Sequence, residues 1–136
     1  MIVADCTLIA QFFLTTPETG FARQIAIADG TWLAPPLWRS ELRSVLSKYL
    51  LHKDLSATQY VQVMSAAETM LSEGETQVST ADVMNIVAAS GCSAYDAEYV
   101  SVARSFSIPL VTSDKRLRAR FPKIAVSPAE FLTGLP

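Results

Sequence analysis

Three apolar residues, Ile2-Val3-Ala4, open the chain and stop at Asp5. A short apolar run closed by a polar residue is the pattern of a strand buried on both faces. The pattern returns at Trp32–Ala34, ended by Pro35-Pro36, and at Ile108–Thr112, followed by Ser113-Asp114. Weaker versions lie at Glu75–Ser79 and Lys123–Val126. Between these runs the apolar period lengthens to that of a helix. The first helical stretch runs to Leu14. The second is predicted to start at Thr16 as N-cap with Pro17 in the first helical position, and to reach Ala28 before an Asp29-Gly30 turn.

From Leu37 to His52, Trp38, Leu42, Val45, Leu46 and Tyr49 mark one helical stripe. Ser56 or Thr58 then opens another, with Tyr60, Val63, Met64, Ala67, Met70 and Leu71 on its apolar side. Two amphipathic helices without a strand between them predict an αα-hairpin inserted into the α/β alternation. A further helix spans residues 81–89 and ends at Gly91. Another starts near Ser93 and reaches Phe106, and short ones cover Lys115–Phe121 and Pro128–Leu132. Strands alternating with helices predict an α/β domain over residues 1–136, with a mainly parallel sheet covered on both faces. No repeat, linker or low-complexity segment interrupts it.

This order of elements places chemistry. In an open parallel sheet, ligands bind outside the carboxyl ends of the strands. Asp5 and Asp114 directly follow two predicted strands, and Glu41 and Asp96 fall in the first turns of helices entered from that edge. From Asp96 to Phe106 a helix descends about 15 Å at about 1.5 Å per residue. From Ile108 to Asp114 an extended chain climbs back about 20 Å. The two carboxylates therefore return to nearly one level, and four acids are predicted at one sheet edge.

Each acid also has a local explanation. Asp5 and Asp114 suit helix N-caps, and Ser93-Ala94-Tyr95-Asp96 has the shape of a capping box, as does Ser79-Thr80-Ala81-Asp82. Glu41 sits on the margin of an apolar stripe, between Leu37 and Val45 at i−4 and i+4. A carboxylate facing a core needs a partner. Four of them together repel one another unless a cation intervenes, and oxygen donors without sulfur or imidazole favour Mg²⁺ or Mn²⁺. Such an ion activates water and stabilises charge on a phosphodiester. Thr7, Thr112 and Ser113 are candidates to orient ligands or water, or else simple caps and turns.

Composition changes the picture little. The chain has 136 residues, half of them hydrophobic, and a formal net charge of −2. No apolar run reaches the ~18 residues of a membrane span. The apolar start contains Asp5 and lacks a basic leader region, which reads as strand and helix rather than signal peptide. Cys6 and Cys92 stand alone, His52 is the sole histidine, and a reducing cytoplasm is the default. The acidic balance conceals a basic cluster. Lys115, Arg116, Arg118, Arg120 and Lys123 hold five of the eleven Lys and Arg residues, directly after Asp114. These residues are candidates for phosphate contact, with Arg39 and Arg43 behind them. His52 reads as a surface residue near a helix end. Tyr95 and Tyr99 read as packing residues or base-stacking platforms.

Four stretches together resemble a known family: Ile2-Val3-Ala4-Asp5-Cys6-Thr7, Pro36-Leu37-Trp38-Arg39-Ser40-Glu41-Leu42, Ser93-Ala94-Tyr95-Asp96-Ala97-Glu98-Tyr99 and Leu110-Val111-Thr112-Ser113-Asp114-Lys115-Arg116-Leu117. In this order they are similar to PIN domains, and among these to the VapC-type toxins of type II toxin–antitoxin pairs. The resemblance implies an α/β/α sandwich with a five-stranded, mainly parallel sheet. It also implies an endoribonuclease dependent on Mg²⁺ or Mn²⁺. The family's acidic positions fall on Asp5, Glu41, Asp96 and Asp114, and its hydroxyl positions on Thr7 and Thr112. A homodimer, silenced by a small antitoxin protein, is implied as well.

Two other classes compete. A phosphoacceptor or phosphatase would use Asp5 as nucleophile with Thr112 and Lys115 assisting, although Thr7 stands where many phosphatases carry a second Asp. A non-catalytic module would use the acids to receive basic side chains of a protein partner.

Overall fold

The computed structural model describes residues 1–134. Its sheet is built from four short parallel strands: β1 (Ile2–Ala4), β2 (Trp32–Leu33), β3 (Leu110–Val111) and β4 (Ala125–Val126), in the order β2-β1-β3-β4. The register pairs Ile2 with Trp32, Val3 with both Leu33 and Leu110, Ala4 with Val111, and Leu110 with Ala125. Every strand is so short because it is flanked at once by residues with other work. Asp5 caps a helix, Pro35-Pro36 lacks N–H donors, and Pro109 precedes β3 while still accepting the Val3 N–H at 2.9 Å through its carbonyl.

Eight helices surround the sheet among the described residues: α1 (Cys6–Phe13), α2 (Thr19–Ala28), α3 (Trp38–Leu51), α4 (Ala57–Met70), α5 (Thr80–Ser90), α6 (Ala94–Phe106), α7 (Lys115–Arg120) and α8 (Pro128–Thr133). The chain leaves β1 towards β2 and leaves β3 in the opposite direction towards β4. Right-handed crossovers then require the helices that follow β1 and the α5–α6 pair, which belongs to the oppositely directed connection from β2 to β3, to cover opposite faces. In agreement, α1 packs with α2, and α2 with α8, while α5 packs with α6 and α6 lies along β1 and β3. The switch point, where open α/β sheets bind their ligands, lies where the connections diverge, between the carboxyl ends of β1 and β3.

The αα-hairpin predicted from consecutive amphipathic stripes is α3–α4, and both of its helices contact α1. Trp38, Leu42 and Leu46 are fully buried on α3, so each leucine contributes about 1.5–3 kcal/mol of burial. Ser56 and Gln59 form a reciprocal capping box at the start of α4, and Ser127 and Glu130 do so at α8. Gly91 ends α5 in the left-handed region, with φ of 69°, as its position predicts. No described helix is long and apolar enough to cross a membrane.

Two expectations are corrected. The helix predicted to begin at Pro17 begins at Thr19. Thr16 accepts the Glu18 N–H through its hydroxyl, and the Thr19 hydroxyl, facing back, accepts the Thr16 N–H and donates to the Leu14 carbonyl. These local bonds form a turn that delays the helix. The fifth strand, at 75–79, is reduced to one parallel bridge between Ala34 and Glu75. The Ala34 N–H donates to the Gly74 carbonyl and the Thr76 N–H to the Ala34 carbonyl, after which the two prolines offer no donor to extend the ladder.

Gly74 makes this bridge possible, because a Cβ there would lie 1.9 Å from the Trp32 carbonyl oxygen. The obstacle is backbone of the neighbouring strand, which cannot swing aside. Gly74→Ala is expected to lower the unfolding free energy by about 2–3 kcal/mol, the upper part of the range for overpacked sites. Urea unfolding checks this, and a midpoint equal to that of the wild type refutes the close approach.

Candidate active site

Asp5 is the best-anchored acid. It ends β1 in an extended conformation and caps α1, so the same residue stops the strand and starts the helix. Its Oδ1 accepts the Leu8 N–H at 3.1 Å and the Thr7 hydroxyl at 2.6 Å. Its Oδ2 accepts the hydroxyl of Thr112, which is completely buried at the end of β3. The Thr112 oxygen in turn accepts the Asp114 N–H at 2.9 Å, and the Thr7 oxygen accepts the Ser113 N–H at 3.0 Å. Gln11 adds a third tie by donating to the Ser113 hydroxyl at 2.8 Å. Burial pushes the Asp5 carboxyl up from the ordinary carboxylate range, and the donors from Thr112, Thr7 and Leu8 only partly oppose it.

Asp114 caps α7 with one oxygen: Oδ1 accepts the Arg116 N–H at 2.8 Å and the Leu117 N–H at 3.1 Å. Asp96 lies half-buried in the first turn of α6, where its N–H donates to Ser93 Oγ at 3.0 Å. Its carboxylate does not complete the box. Gln59 and Glu130 reach back to their N-cap N–H, but the side chain of Asp is one methylene shorter. Burial raises the Asp96 pKa first, and the Asp114 carboxylate raises it further, against the opposing Ser93 hydroxyl and Arg120 charge. Asp96 and Asp114 therefore converge as the helix-and-strand arithmetic predicts. Asp82, with the same local pattern, is exposed elsewhere, so tertiary position separates the two.

Glu41 is half-buried on α3, and its Oε1 accepts the Tyr99 hydroxyl of α6 at 2.7 Å. Its pKa is raised by burial, lowered by that hydrogen bond and raised again by the charges of Asp5, Asp96 and Glu98. The neighbourhood runs Asp5–Glu41–Asp96–Asp114, so the four predicted acids come together. Burial and the charges of Glu41 and Asp5 push the thiol of Cys6, directly after Asp5, far up, which disfavours its thiolate form. Both cysteines are free thiols.

Glu98 and Gln11 escaped sequence reasoning, and Tyr99, read as a packing or stacking residue, was missed as the partner of Glu41. Tyr99 is buried rather than stacked, and its position three residues after Asp96 on one helix face was the available signal. Glu98 adds a fifth carboxylate beside Glu41 and carried no signal of its own. Gln11, one turn after Thr7, looks like any helix residue until β3 is brought beside it.

The basic residues divide into two groups. Lys115 and Arg116 are exposed and form no ion pair among the described residues. Arg118 pairs with Glu130 at 3.5 Å, and Arg120 donates to the Ser90 carbonyl at 3.2 Å while acting on Asp96. Arg39 is occupied by Glu75 at 2.7 Å and Glu68 at 3.0 Å and stands over the Trp38 ring. It ties α3 to α4 and to the segment after it. His52 is an exposed helix C-cap, and Tyr95 is exposed.

The donor set suits a hard cation. The converging groups are carboxylate and hydroxyl oxygens, and none of the four acids pairs with a Lys or Arg among the described residues. No three of His, Cys, Asp and Glu there close into a ready cage. Oxygen donors of this kind are the ligand type of Mg²⁺, which keeps several of its waters and is commonly held by one or two carboxylates.

A parallel α/β fold with an acidic crevice at its switch point defines the class, and comparison supplies the family. The PIN domain family matches residues 2–122, and the chain belongs to that family. The fold is similar to the crystal structure of PAE2754 from Pyrobaculum aerophilum, with a TM-score of 0.69 and 19% identity over 97% of this chain and 92% of that one. It is also similar to a chain of a toxin–antitoxin complex from Klebsiella pneumoniae, with a TM-score of 0.70 and 15% identity over 94% and 98% of the two chains. No curated protein matches.

The crowded acids make a stability prediction. A carboxylate whose pKa is raised on folding holds its proton more tightly in the folded state. Its contribution to stability is therefore greatest below about pH 4, the ordinary carboxylate value, and is lost as pH rises through the raised value. In protein free of divalent ions, Asp96→Asn is expected to be more stable than the wild type at pH 7, with the gain shrinking towards pH 4. Because Asp96 is only half-buried, solvent screening holds the gain to roughly 0.5 kcal/mol. Denaturation midpoints at the two pH values decide it, and a destabilised variant at pH 7 contradicts the repulsion.

Proposed function

We propose that this PIN domain is an endoribonuclease dependent on Mg²⁺ or Mn²⁺ and the toxin of a toxin–antitoxin pair. The observation that carries this reading is the convergence of Asp5, Glu41, Asp96 and Asp114, none of them ion-paired among the described residues, beside the exposed Lys115 and Arg116. Likeness in fold to a member of a toxin–antitoxin complex supports the toxin role and a cognate antitoxin partner. A homodimer and a cytoplasmic location complete the reading, the latter in keeping with two free thiols.

Asp5, Asp96 and Asp114 would hold the ion. When bound, it supplies positive charge that lowers the pKa of water and stabilises a phosphodiester's developing negative charge. The protein's own groups do the rest. Thr7 and Thr112 fix both oxygens of Asp5, so that its carboxylate presents one geometry. Glu41, with Oε1 tied to Tyr99, has Oε2 left to orient water. Lys115 and Arg116 hold RNA phosphates flanking the cut.

A phosphoacceptor role is less well supported. Asp5 is buried, and both its oxygens already accept hydrogen bonds, an arrangement suited to holding an oxygen still rather than to attack.

Purified protein is expected to cleave RNA with Mg²⁺ or Mn²⁺ and to stop on addition of EDTA. Asp96→Asn should reduce the rate about 100-fold or more, within the range for losing a group that acts in the transition state. Cleavage at the wild-type rate by that variant, in preparations free of contaminating nuclease, sinks the assignment. Replacing Lys115 and Arg116 together by Ala should raise KM more than it lowers kcat, and reduce the salt dependence of RNA binding by a slope of about 1–2. An unaltered salt slope removes these residues from the interface.

A further inference from the structure

Glu41 and Asp96 reach the crevice on different helices, α3 and α6. One side-chain hydrogen bond of the site, Tyr99 to Glu41, joins those helices directly. We propose that Tyr99 is a positioning residue, whose hydroxyl locks the Glu41 side chain towards the acidic crevice. This rests on reading the crevice as the nuclease site and adds a residue to it.

The geometry supplies the reason. Glu41 has three rotatable side-chain bonds and a half-exposed position, so solvent is open to it. Asp5, Asp96 and Glu98 act on it as like charges, and none of the described ion pairs restrains it. Left alone, such a carboxylate swings outward, since immobilising a long side chain costs rotamer entropy and repulsion adds to that. Tyr99 is the opposite kind of group. Its ring is buried among core residues and only 3% exposed, its position is set by α6, and its hydroxyl ends 2.7 Å from Glu41 Oε1. A fixed donor meeting a mobile acceptor places the acceptor. Other candidate anchors are absent from the contacts: Arg39 is committed to Glu68 and Glu75, and Arg43 on the same helix is exposed.

Tyr99→Phe removes the hydroxyl and keeps the ring in the core. In metal-free protein with labelled glutamate, the two γ-methylene protons of Glu41 should give distinct, conformer-specific couplings in the wild type and averaged couplings in Tyr99→Phe. Cleavage by Tyr99→Phe should fall about 10-fold in kcat, with KM within about 2-fold. Adding Tyr99→Phe to Glu41→Gln should cause little further loss. A Glu41 side chain equally fixed in both proteins, or equally averaged in both, overturns the proposal. So does a Tyr99→Phe loss of the same size on the Glu41→Gln background, which is the signature of a merely structural tyrosine. If no RNA is cleaved by any of these proteins, the nuclease reading fails, while the nuclear magnetic resonance result still decides whether Tyr99 positions Glu41.

Discussion

The buried carboxylate of Asp5 is the constraint on which the fold's functional edge depends. β1 and β3 are only three and two residues long, too short for their ladder alone to fix how their ends meet. Beyond the last pairing, the Asp5 N–H reaches the Val111 carbonyl, and the Thr112 and Thr7 hydroxyls carry the connection on to Asp114 and Ser113. Each hydroxyl both donates to Asp5 and accepts a backbone N–H from the other strand's exit. A buried anion with three donors on its two oxygens is costly to disturb, because loss of one donor leaves a desolvated charge underserved. The loop after β3 is thereby held in register with the loop after β1, and Asp114 arrives where it does because Asp5 is tethered.

The same edge is electrostatically unfavourable to the folded chain. Asp5, Glu41 and Asp96 all hold protons more tightly than free carboxylates do, and burial is the first cause in each case. Proteins relieve such crowding with lysine or arginine, yet here the cations point elsewhere: Arg39 to Glu68 and Glu75, Arg118 to Glu130. Arg120 moderates Asp96 from a distance while its own hydrogen bond goes to the end of α5. Folding thus maintains uncompensated negative charge at one place, which is stability given up where a ligand of opposite sign would restore it.

Much of this was legible in the sequence, for a reason particular to parallel α/β folds. Strand ends and helix starts are the same few residues, so element order alone brings Asp5, Asp96 and Asp114 to one edge. Apolar runs and periodic stripes identified β1, β2, β3 and the α3–α4 hairpin. Failures arose where a single contact overrode a local pattern. The weak strand candidate at 75–79, with Val78 as its one apolar residue, pairs only once because its neighbour passes into Pro35-Pro36 after one bridge. Pro17 looks like a helix start, but the paired hydroxyls of Thr16 and Thr19 form a tighter turn first. Tyr99 was invisible as a partner of Glu41 because the two lie 58 residues apart and meet only when α3 and α6 are packed.

Helix capping and metal-site chemistry looked like rival explanations of the same acids, and the geometry removes the rivalry. A carboxylate has two oxygens. Asp114 commits Oδ1 to the N–H groups that start α7, and Asp5 commits Oδ1 to Leu8 and Thr7 at the start of α1. Capping orients the residue by fixing one oxygen, and what the other oxygen meets is set by tertiary structure. For Asp96 the division goes further. The Ser93 hydroxyl alone caps α6, and the aspartate side chain, too short to reciprocate, keeps its carboxylate for the crevice. Glutamate in that position would be drawn back to the helix start, as Glu130 is in α8. Asp rather than Glu at this one helix turn therefore leaves an acid in the first turn of a helix without tying its carboxylate to the helix start.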